Sequence, residues 1–152
     1  YLLLRQLNFY DDSNFVWDEF DAIYNGELAN GIGNLLNRSL ALLKKFDCAG
    51  AIELALTDED EKVSLEDLAE QDFRGALEEI NSQIAIADNW FSNTKPWEWE
   101  APSDLQKALL IDQSRLVKIS YQLEPFMPTT AIEIRRQLTE LDSKPLFPRI
   151  EK

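Results

Sequence analysis

Three polar residues recur at every fourth position in the stretch NGELANGIGNLLNRSLALLKKF: Asn30, Asn34 and Arg38. In a helix this spacing places them in one row on one face. Asparagine and the two intervening glycines weaken a helix, so something other than helix stability is expected to have selected them. An asparagine amide both donates and accepts, and arginine offers a planar fork of donors, which together suit the edge of an unpaired base. The alternative is that these side chains cap or brace neighbouring loops.

A second candidate is Trp97 in the segment NTKPWEW, where it follows Pro96. A tryptophan in a loop stiffened by proline can act as a stacking platform for a base, which contributes about 1–3 kcal/mol. Trp97 and Trp99 could equally cover the end of a helix bundle, which is the commoner role of an isolated tryptophan.

The composition excludes several kinds of site. The chain has no histidine and a single cysteine, Cys48, so Ser-His-Asp and Cys-His catalytic sets and an intramolecular disulfide are excluded. No catalytic residue and no metal site is predicted, and Cys48 is expected to be a small buried or half-buried residue. No apolar run approaches the roughly 20 residues of a membrane span, so we expect a cytoplasmic protein without membrane contact.

The net charge of −13 opposes general binding to phosphates, and we predict no DNA partner. The charge is uneven, however. Residues 58–72 carry eight acids and one lysine, whereas residues 105–152 carry eight basic and six acidic residues. A contact with RNA would therefore depend on specific local contacts more than on a broad positive field.

The apolar residues recur at three- and four-residue spacings, and this periodicity predicts an all-α bundle of four to five main helices. The first helix should begin near Phe15 or Val16, capped by Asp12, Ser13 or Asn14, and reach Phe46 with an interruption around Asn25 and Gly26. Its apolar side comprises Leu28, Ile32, Leu35, Leu42 and Phe46. The other predicted helices run from a capping box at Ser64–Asp67 to Phe91, from Asp104 to Leu123, and from near Thr129 to Leu141. The second of the four buries Leu65, Leu68, Phe73, Leu77, Ile80, Ile84 and Ala87.

The chain is predicted to form a single domain over residues 1–152. Residues 1–12 are expected to be the end of a preceding element and a loop, residues 13–144 the bundle, and residues 145–152 an extended tail. The tail carries Leu146 and Phe147, which must dock on another surface. Because the chain starts inside an apolar run, we expect a fragment of a longer protein.

Four separated segments then carry a resemblance to a known family. They are YNGELANGIGNLLNR (Tyr24–Arg38), ADNWFSNTKPW (Ala87–Trp97), LEPFMP (Leu123–Pro128) and PLFPRIE (Pro145–Glu151). In order and spacing they resemble the C-terminal anticodon-binding domain of bacterial-type methionyl-tRNA synthetases, which are class I aminoacyl-tRNA synthetases.

The resemblance implies a helix bundle that binds the CAU anticodon of tRNA(Met). It assigns the anticodon contacts to Asn30, Asn34, Arg38 and Trp97, with Asn89 and Pro96 supporting the tryptophan loop. It also implies that a Rossmann catalytic domain, which binds ATP with magnesium and charges the tRNA with methionine, belongs to the parent chain before Tyr1. The fragment itself then needs no cofactor and is no enzyme, and its partners are the tRNA(Met) anticodon loop and that catalytic domain.

Two alternatives remain open from the sequence. The first is a helical protein–protein interaction module without RNA binding, which the net charge favours. The second is the anticodon-binding domain of another class I synthetase, such as the one for cysteine, against which the set of Asn34, Arg38 and Trp97 argues.

Overall fold

The computed structural model describes residues 1–6, 16–48, 72–99 and 102–150, and its regular structure over these residues is entirely helical. The helices are α1 (Leu2–Gln6), α2 (Trp17–Ile23), a π-helical segment (Tyr24–Gly33), α3 (Asn34–Lys45), α4 (Phe73–Thr94), a 3₁₀ turn (Pro96–Glu98), α5 (Pro102–Leu123) and α6 (Pro128–Glu140). The predicted all-α fold is confirmed. The predicted boundaries of the single domain stay a prediction.

The first predicted helix is a composite of three elements. Helix α2 follows Val16, whose side chain provides no cap, and the predicted caps at residues 12–14 lie outside the described residues. The chain does not break at Asn25 and Gly26 as predicted. It instead widens into π-type turns, and the departure from helical geometry is at Gly31, with φ −78° and ψ −106°. Such π-type stretches inside helices occur frequently at functional sites.

Helix α4 is shorter at its start and longer at its end than predicted. The predicted capping box at Ser64–Asp67 lies outside the described residues, and the described helix is capped by Asp72, which accepts a hydrogen bond from the Gly75 amide at 2.9 Å. The helix continues past Phe91 to Thr94, because it is Lys95 that takes the left-handed conformation, with φ 43°.

Prolines begin the last two helices, contrary to the predicted starts at Asp104 and Thr129. Helix α5 begins at Pro102 and α6 at Pro128. The fixed φ of proline suits the first helical turn, where its missing N–H costs nothing. Helix α5 ends at Leu123 as predicted, and α6 ends at Glu140, before Leu141 with φ 50°.

One apolar core joins α3, α4, α5 and α6. Helices α5 and α6 form an antiparallel pair, since Gln113 donates to the Leu138 carbonyl and Arg135 forms an ion pair with Glu124. The predicted apolar side of the first helix and the described part of the second are buried or half-buried as expected. The largest fully buried side chains include Ile32, Leu35, Leu36, Leu40, Leu43, Leu77, Ile80, Phe91, Leu105, Leu109, Leu116 and Ile119.

Cys48 is buried, as predicted, and burial raises the pKa of its thiol. Within the described ranges, none of the helices is both long and apolar enough for a membrane span. These same residues contain no group of three or more cysteine, aspartate or glutamate side chains arranged to hold a metal ion.

Candidate nucleic-acid interface

The predicted polar row lies along the π segment and the start of α3. Asn30 belongs to the π segment, Asn34 is the first residue of α3, and Arg38 follows one turn later. Asn30 and Asn34 are exposed, while the side chain of Arg38 is 29% exposed. The row is therefore a real surface feature, with the arginine at its more buried end.

The two glycines within the row have different surroundings. A Cβ on Gly33 would lie 2.9 Å from the Leu28 carbonyl oxygen and 3.6 Å from the Phe147 ring, whereas a Cβ on Gly31 would make only ordinary contacts. We expected the glycines to admit another backbone or a ligand. At Gly33 the close approach is made by the chain's own Leu28 carbonyl, and the Phe147 ring of the C-terminal tail lies at ordinary contact distance.

Arg38 is held in place by helix α4. Its guanidinium forms an ion pair with Asp88 and lies over the Phe91 ring, 5.0 Å from the ring centroid. A guanidinium has five N–H donors, so a single carboxylate leaves several of them for another partner. The aromatic face and the carboxylate together define where the arginine side chain lies.

The C-terminal tail runs along the row and bonds to Asn30 of the row and to two neighbouring asparagines, Asn25 and Asn37. Arg149 donates to Asn30 Oδ1, and Ser143 donates to Asn37 Oδ1 at 3.2 Å. Asn25 accepts from the Ile150 amide at 3.0 Å and donates to the Ile150 carbonyl at 3.1 Å. Within the row, the alternative that these side chains brace a neighbouring segment is thus correct for Asn30, and Asn25 and Asn37 beside the row brace the tail as well. The side chain of Asn34 makes no hydrogen bond to the described part of the chain.

The tryptophan turn is fixed by hydrogen bonds of its own. The Thr94 hydroxyl donates to the Trp90 carbonyl at 2.6 Å, and Trp99 Nε1 donates to the Thr94 carbonyl at 2.8 Å. Trp99 packs against the core, Pro96 is buried, and Trp97 is 43% exposed. Of these two tryptophans, Trp99 therefore covers the bundle, whereas Trp97 is partly open to solvent, as a stacking platform would need to be.

The supporting residues behave differently from each other. Pro96 is buried at the start of the turn, and its supporting role stays a prediction. Asn89 is exposed, and within the described ranges its side chain makes no hydrogen bond to the turn. The predicted role of Asn89 in orienting the tryptophan stays a prediction. The hydrogen bonds that brace the turn are made by Thr94 and Trp99.

The row and the tryptophan turn lie toward the same end of the molecule. The π segment and α3 run alongside α4 in the same direction, since Glu27 bonds to Asn81 while Arg38, farther along, contacts Asp88 and Phe91. Helix α4 ends one turn after Phe91, and Trp97 follows directly. Along the direction of α4, the residues therefore follow in the order Asn30, Asn34, Arg38 and Trp97.

An open groove of about 220 Å³ lies between the π segment and α4. Its lining residues are Gly26, Glu27, Asn30, Gly31, Asn81, Ile84, Ala85 and Asp88. Two of these residues are acidic, and Glu98 adds a third carboxylate beside Trp97, where it lies 3.8 Å from the Lys95 ammonium. The groove, the polar row and the tryptophan turn together provide polar and aromatic contacts, with little excess positive charge.

Sequence reasoning missed Asp88, Phe91 and Arg149 as members of this surface. Asp88 and Phe91 belong to a segment quoted for the resemblance, yet only the packing of α3 on α4 places them against Arg38. Arg149 closely follows Leu146 and Phe147, which were predicted to dock on another surface. This position in the sequence was the signal that could have pointed to Arg149. Where the tail docks could not be deduced from its own residues.

Comparisons with known proteins agree with the resemblance stated from the motifs. The model of the family described as tRNA synthetases class I (M) matches residues 1–40. The methionine–tRNA ligase of Rhizobium meliloti is 30% identical over 145 residues, which cover 86% of this chain and 28% of that protein. The methionine–tRNA ligase of Bacillus cereus strain 03BB102 is 29% identical over 164 residues, covering 92% of this chain and 30% of that protein.

The same relation appears in the fold. The crystal structure of the apo form of Mycobacterium tuberculosis methionyl-tRNA synthetase matches with a TM-score of 0.77 and 23% identity, over 99% of this chain and 38% of that one. At that identity the match shows the helical fold alone. The chain spans less than a third of the length of the two curated relatives above.

Proposed function

Since the chain is related to the methionine–tRNA ligases over most of its length, we propose that it is the anticodon-binding domain of such an enzyme. It recognises the CAU anticodon of tRNA(Met), so that the catalytic domain of the same parent chain can charge this tRNA with methionine. ATP and magnesium act in that catalytic domain, and the reaction serves protein synthesis in the cytoplasm.

The observation that carries this proposal is that the side chains of Asn34, Arg38 and Trp97 each reach the surface with capacity for a further partner. Asn34 is exposed with no hydrogen bond to the described residues, and Trp97 is 43% exposed on a braced turn. Arg38 has donors to spare and is held by Asp88 and Phe91. Sequence-specific RNA recognition targets unpaired bases by stacking and by hydrogen bonds to their edges, and these three side chains supply both.

Each side chain has a distinct role in the proposed mechanism. Arg38 donates to the acceptors of the unstacked cytosine, while Asp88 and Phe91 keep its guanidinium from swinging away. Asn34 and Asn30 hydrogen-bond to neighbouring base or sugar groups, and Trp97 stacks on a base. Because the arginine is already ordered, less side-chain entropy is lost when RNA binds.

The expected specificity follows from the number of contacts. A good base contact discriminates by about 1–3 kcal/mol, and stacking on one aromatic side chain contributes a similar amount. Neighbouring acids Asp88 and Glu98 disfavour phosphates at this surface, so the phosphate backbone must pass to one side of it. Recognition then rests on bases more than on backbone charge.

The test is binding of the chain to a tRNA(Met) anticodon stem-loop with CAU and to one with the cytosine changed. We expect Arg38→Ala and Trp97→Ala each to weaken binding of the CAU stem-loop by about 1–3 kcal/mol, and Arg38→Ala to abolish the preference for cytosine. Fluorescence anisotropy with a labelled stem-loop gives both affinities.

Matched variants elsewhere on the surface control for charge and for aromatic area. Arg74→Ala removes an arginine that is 57% exposed in the first turn of α4, and Trp17→Ala removes a tryptophan that is 72% exposed at the start of α2. Neither should change the preference for cytosine. Equal affinity of the wild type for both stem-loops, in the chain and in the whole ligase, would contradict the proposed function and favour a protein-binding module.

A further inference from the structure

The C-terminal tail forms part of the same surface as the polar row. Its contacts follow one another in reverse order along the helix: Ser143 bonds to Asn37, Phe147 lies beside Gly33, and Ile150 bonds to Asn25. Tyr24 meets the Phe147 ring edge-on, with 6.1 Å between the ring centroids. The tail is therefore docked antiparallel to the π segment and α3.

The start of the tail is anchored independently of the row. The buried side chain of Gln137 donates to the Lys144 carbonyl at 3.0 Å and accepts from the Lys144 amide at 3.3 Å. With this anchor at one end, the Asn25–Ile150 pair at the other and Phe147 between them, Arg149 is held over the row. Its guanidinium donates to Asn30 Oδ1.

We propose that Arg149 is a positioning residue of the RNA site, which holds the Asn30 amide with its Nδ2 group turned outward. The inference rests on the proposed function of the row. A guanidinium has donors and no acceptor, so Asn30 can bond to it only through Oδ1. The amide can then no longer rotate to present its oxygen, and Asn30 offers two N–H donors to an acceptor on a base or sugar.

This assignment gives Asn30 a specificity that its residue type alone lacks. A free asparagine accepts or donates with equal ease, and it would not distinguish a carbonyl from an exocyclic amine. Fixed by Arg149, it favours a carbonyl, a ring nitrogen or a hydroxyl oxygen as its partner. The neighbouring Asn34, without such a partner, keeps both options.

The experiment is a double-mutant cycle between Arg149 and Asn30, measured as affinity for the CAU anticodon stem-loop. We expect Arg149→Ala to weaken binding about tenfold in the wild-type background and by about twofold or less in the Asn30→Ala background. Arg149→Lys, which retains a cationic donor, should restore part of the loss. Arg74→Ala is the matched control for the lost charge.

A second variant tests the orientation of the amide itself. Asn30→Asp keeps two acceptors for Arg149 but has no N–H to offer, so it should keep the tail docked and bind the stem-loop no better than Asn30→Ala. Gln106→Glu places the same added charge at an exposed site on α5. Because Arg149 is exposed, its variants should melt within a few degrees of the wild type, which is checked by circular dichroism.

The outcomes separate this inference from the proposed function. If the wild type prefers the CAU stem-loop while Arg149→Ala binds as well as Arg74→Ala, the positioning role is wrong and the proposed function stands. The same factor in both Asn30 backgrounds would show that Arg149 acts directly on RNA, and tighter binding would show that the tail covers the site. Either result overturns the inference, and a wild type with no preference overturns both proposals.

Discussion

At the residue scale, a buried carboxyl group lies directly behind the polar row. Ser39 follows Arg38 in α3, and its hydroxyl donates to Asp112 Oδ2 at 2.6 Å, while the other oxygen of Asp112 has no hydrogen-bond partner among the described residues. Asp112 is only 1% exposed. Burial raises the pKa of Asp112 to about 6, and the Ser39 hydrogen bond and the charges of Arg115 and Arg38 oppose this rise. The carboxyl is thus ionised near neutral pH in a site that disfavours the charge.

Asp112→Asn should remove a component of the pH dependence of stability. The folded protein binds the Asp112 proton more tightly than the unfolded chain, whose pKa is near 3.8, so this group makes stability fall as the pH rises from about 4 to about 6. Relative to wild type, the variant should gain roughly 2 kcal/mol in unfolding free energy between pH 4 and pH 7. Urea denaturation across that range measures the difference.

Comparing the two proteins at each pH cancels the contribution of the other acids. The asparagine amide can still accept from Ser39, which keeps the remaining geometry. Parallel pH profiles for the two proteins would show that Asp112 titrates at its ordinary pKa.

At the scale of elements, the π segment depends on glycine at position 33. The position has helical angles, φ −64° and ψ −45°, so an alanine would normally be favoured there. It is instead the Leu28 carbonyl oxygen, 2.9 Å from a Cβ at this position, that requires glycine, whereas the Phe147 ring at 3.6 Å would make an ordinary contact. The requirement for glycine therefore arises within the π segment itself.

Gly33→Ala should destabilise the protein by roughly 1–3 kcal/mol, because its Cβ would displace a backbone carbonyl that cannot easily move. Gly26→Ala is the control: a Cβ at Gly26 meets nothing within 4 Å, so this change should be neutral or stabilise by up to about 1 kcal/mol. Urea unfolding measures both. Equal effects of the two substitutions would show that the contact at Gly33 relaxes without cost.

At the scale of the whole molecule, the charge of −13 limits how this protein can bind RNA. The cations described at the proposed surface are Arg38, Lys95 and Arg149, and the acids beside them are Glu27, Asp88 and Glu98. The surface is close to neutral, whereas the chain as a whole repels phosphate. Affinity must then come from stacking and directional hydrogen bonds.

The salt dependence of binding should accordingly be shallow. With about one to three phosphates neutralised, the logarithm of the affinity should fall with the logarithm of the salt concentration with a slope of about −0.7 to −2. Anisotropy titrations of the CAU stem-loop from low to moderate salt measure it. A slope steeper than about −4 would require a basic surface that the described residues lack, and no dependence would favour an apolar protein contact.

The sequence by itself determined the helical class, most of the buried faces and the candidate residues. These depend on local periodicity and on residue chemistry, which are readable from spacing alone. The predicted helix ends were less accurate. Lys95 and Leu141 end α4 and α6 in left-handed conformations, which usually require a glycine that would be visible in the sequence.

Only the tertiary structure decided which polar side chains are already engaged and which are free. Four-residue spacing made Asn30 and Asn34 look equivalent, yet Asn30 bonds to Arg149, 119 positions away in sequence, while Asn34 has no such partner in the part of the chain that the structure describes. Arg38 is placed against a carboxylate and an aromatic ring of α4, and the Leu28 carbonyl oxygen crowds Gly33. Contacts between distant segments depend on how whole helices pack, and the local pattern of a single helix carries no information about them.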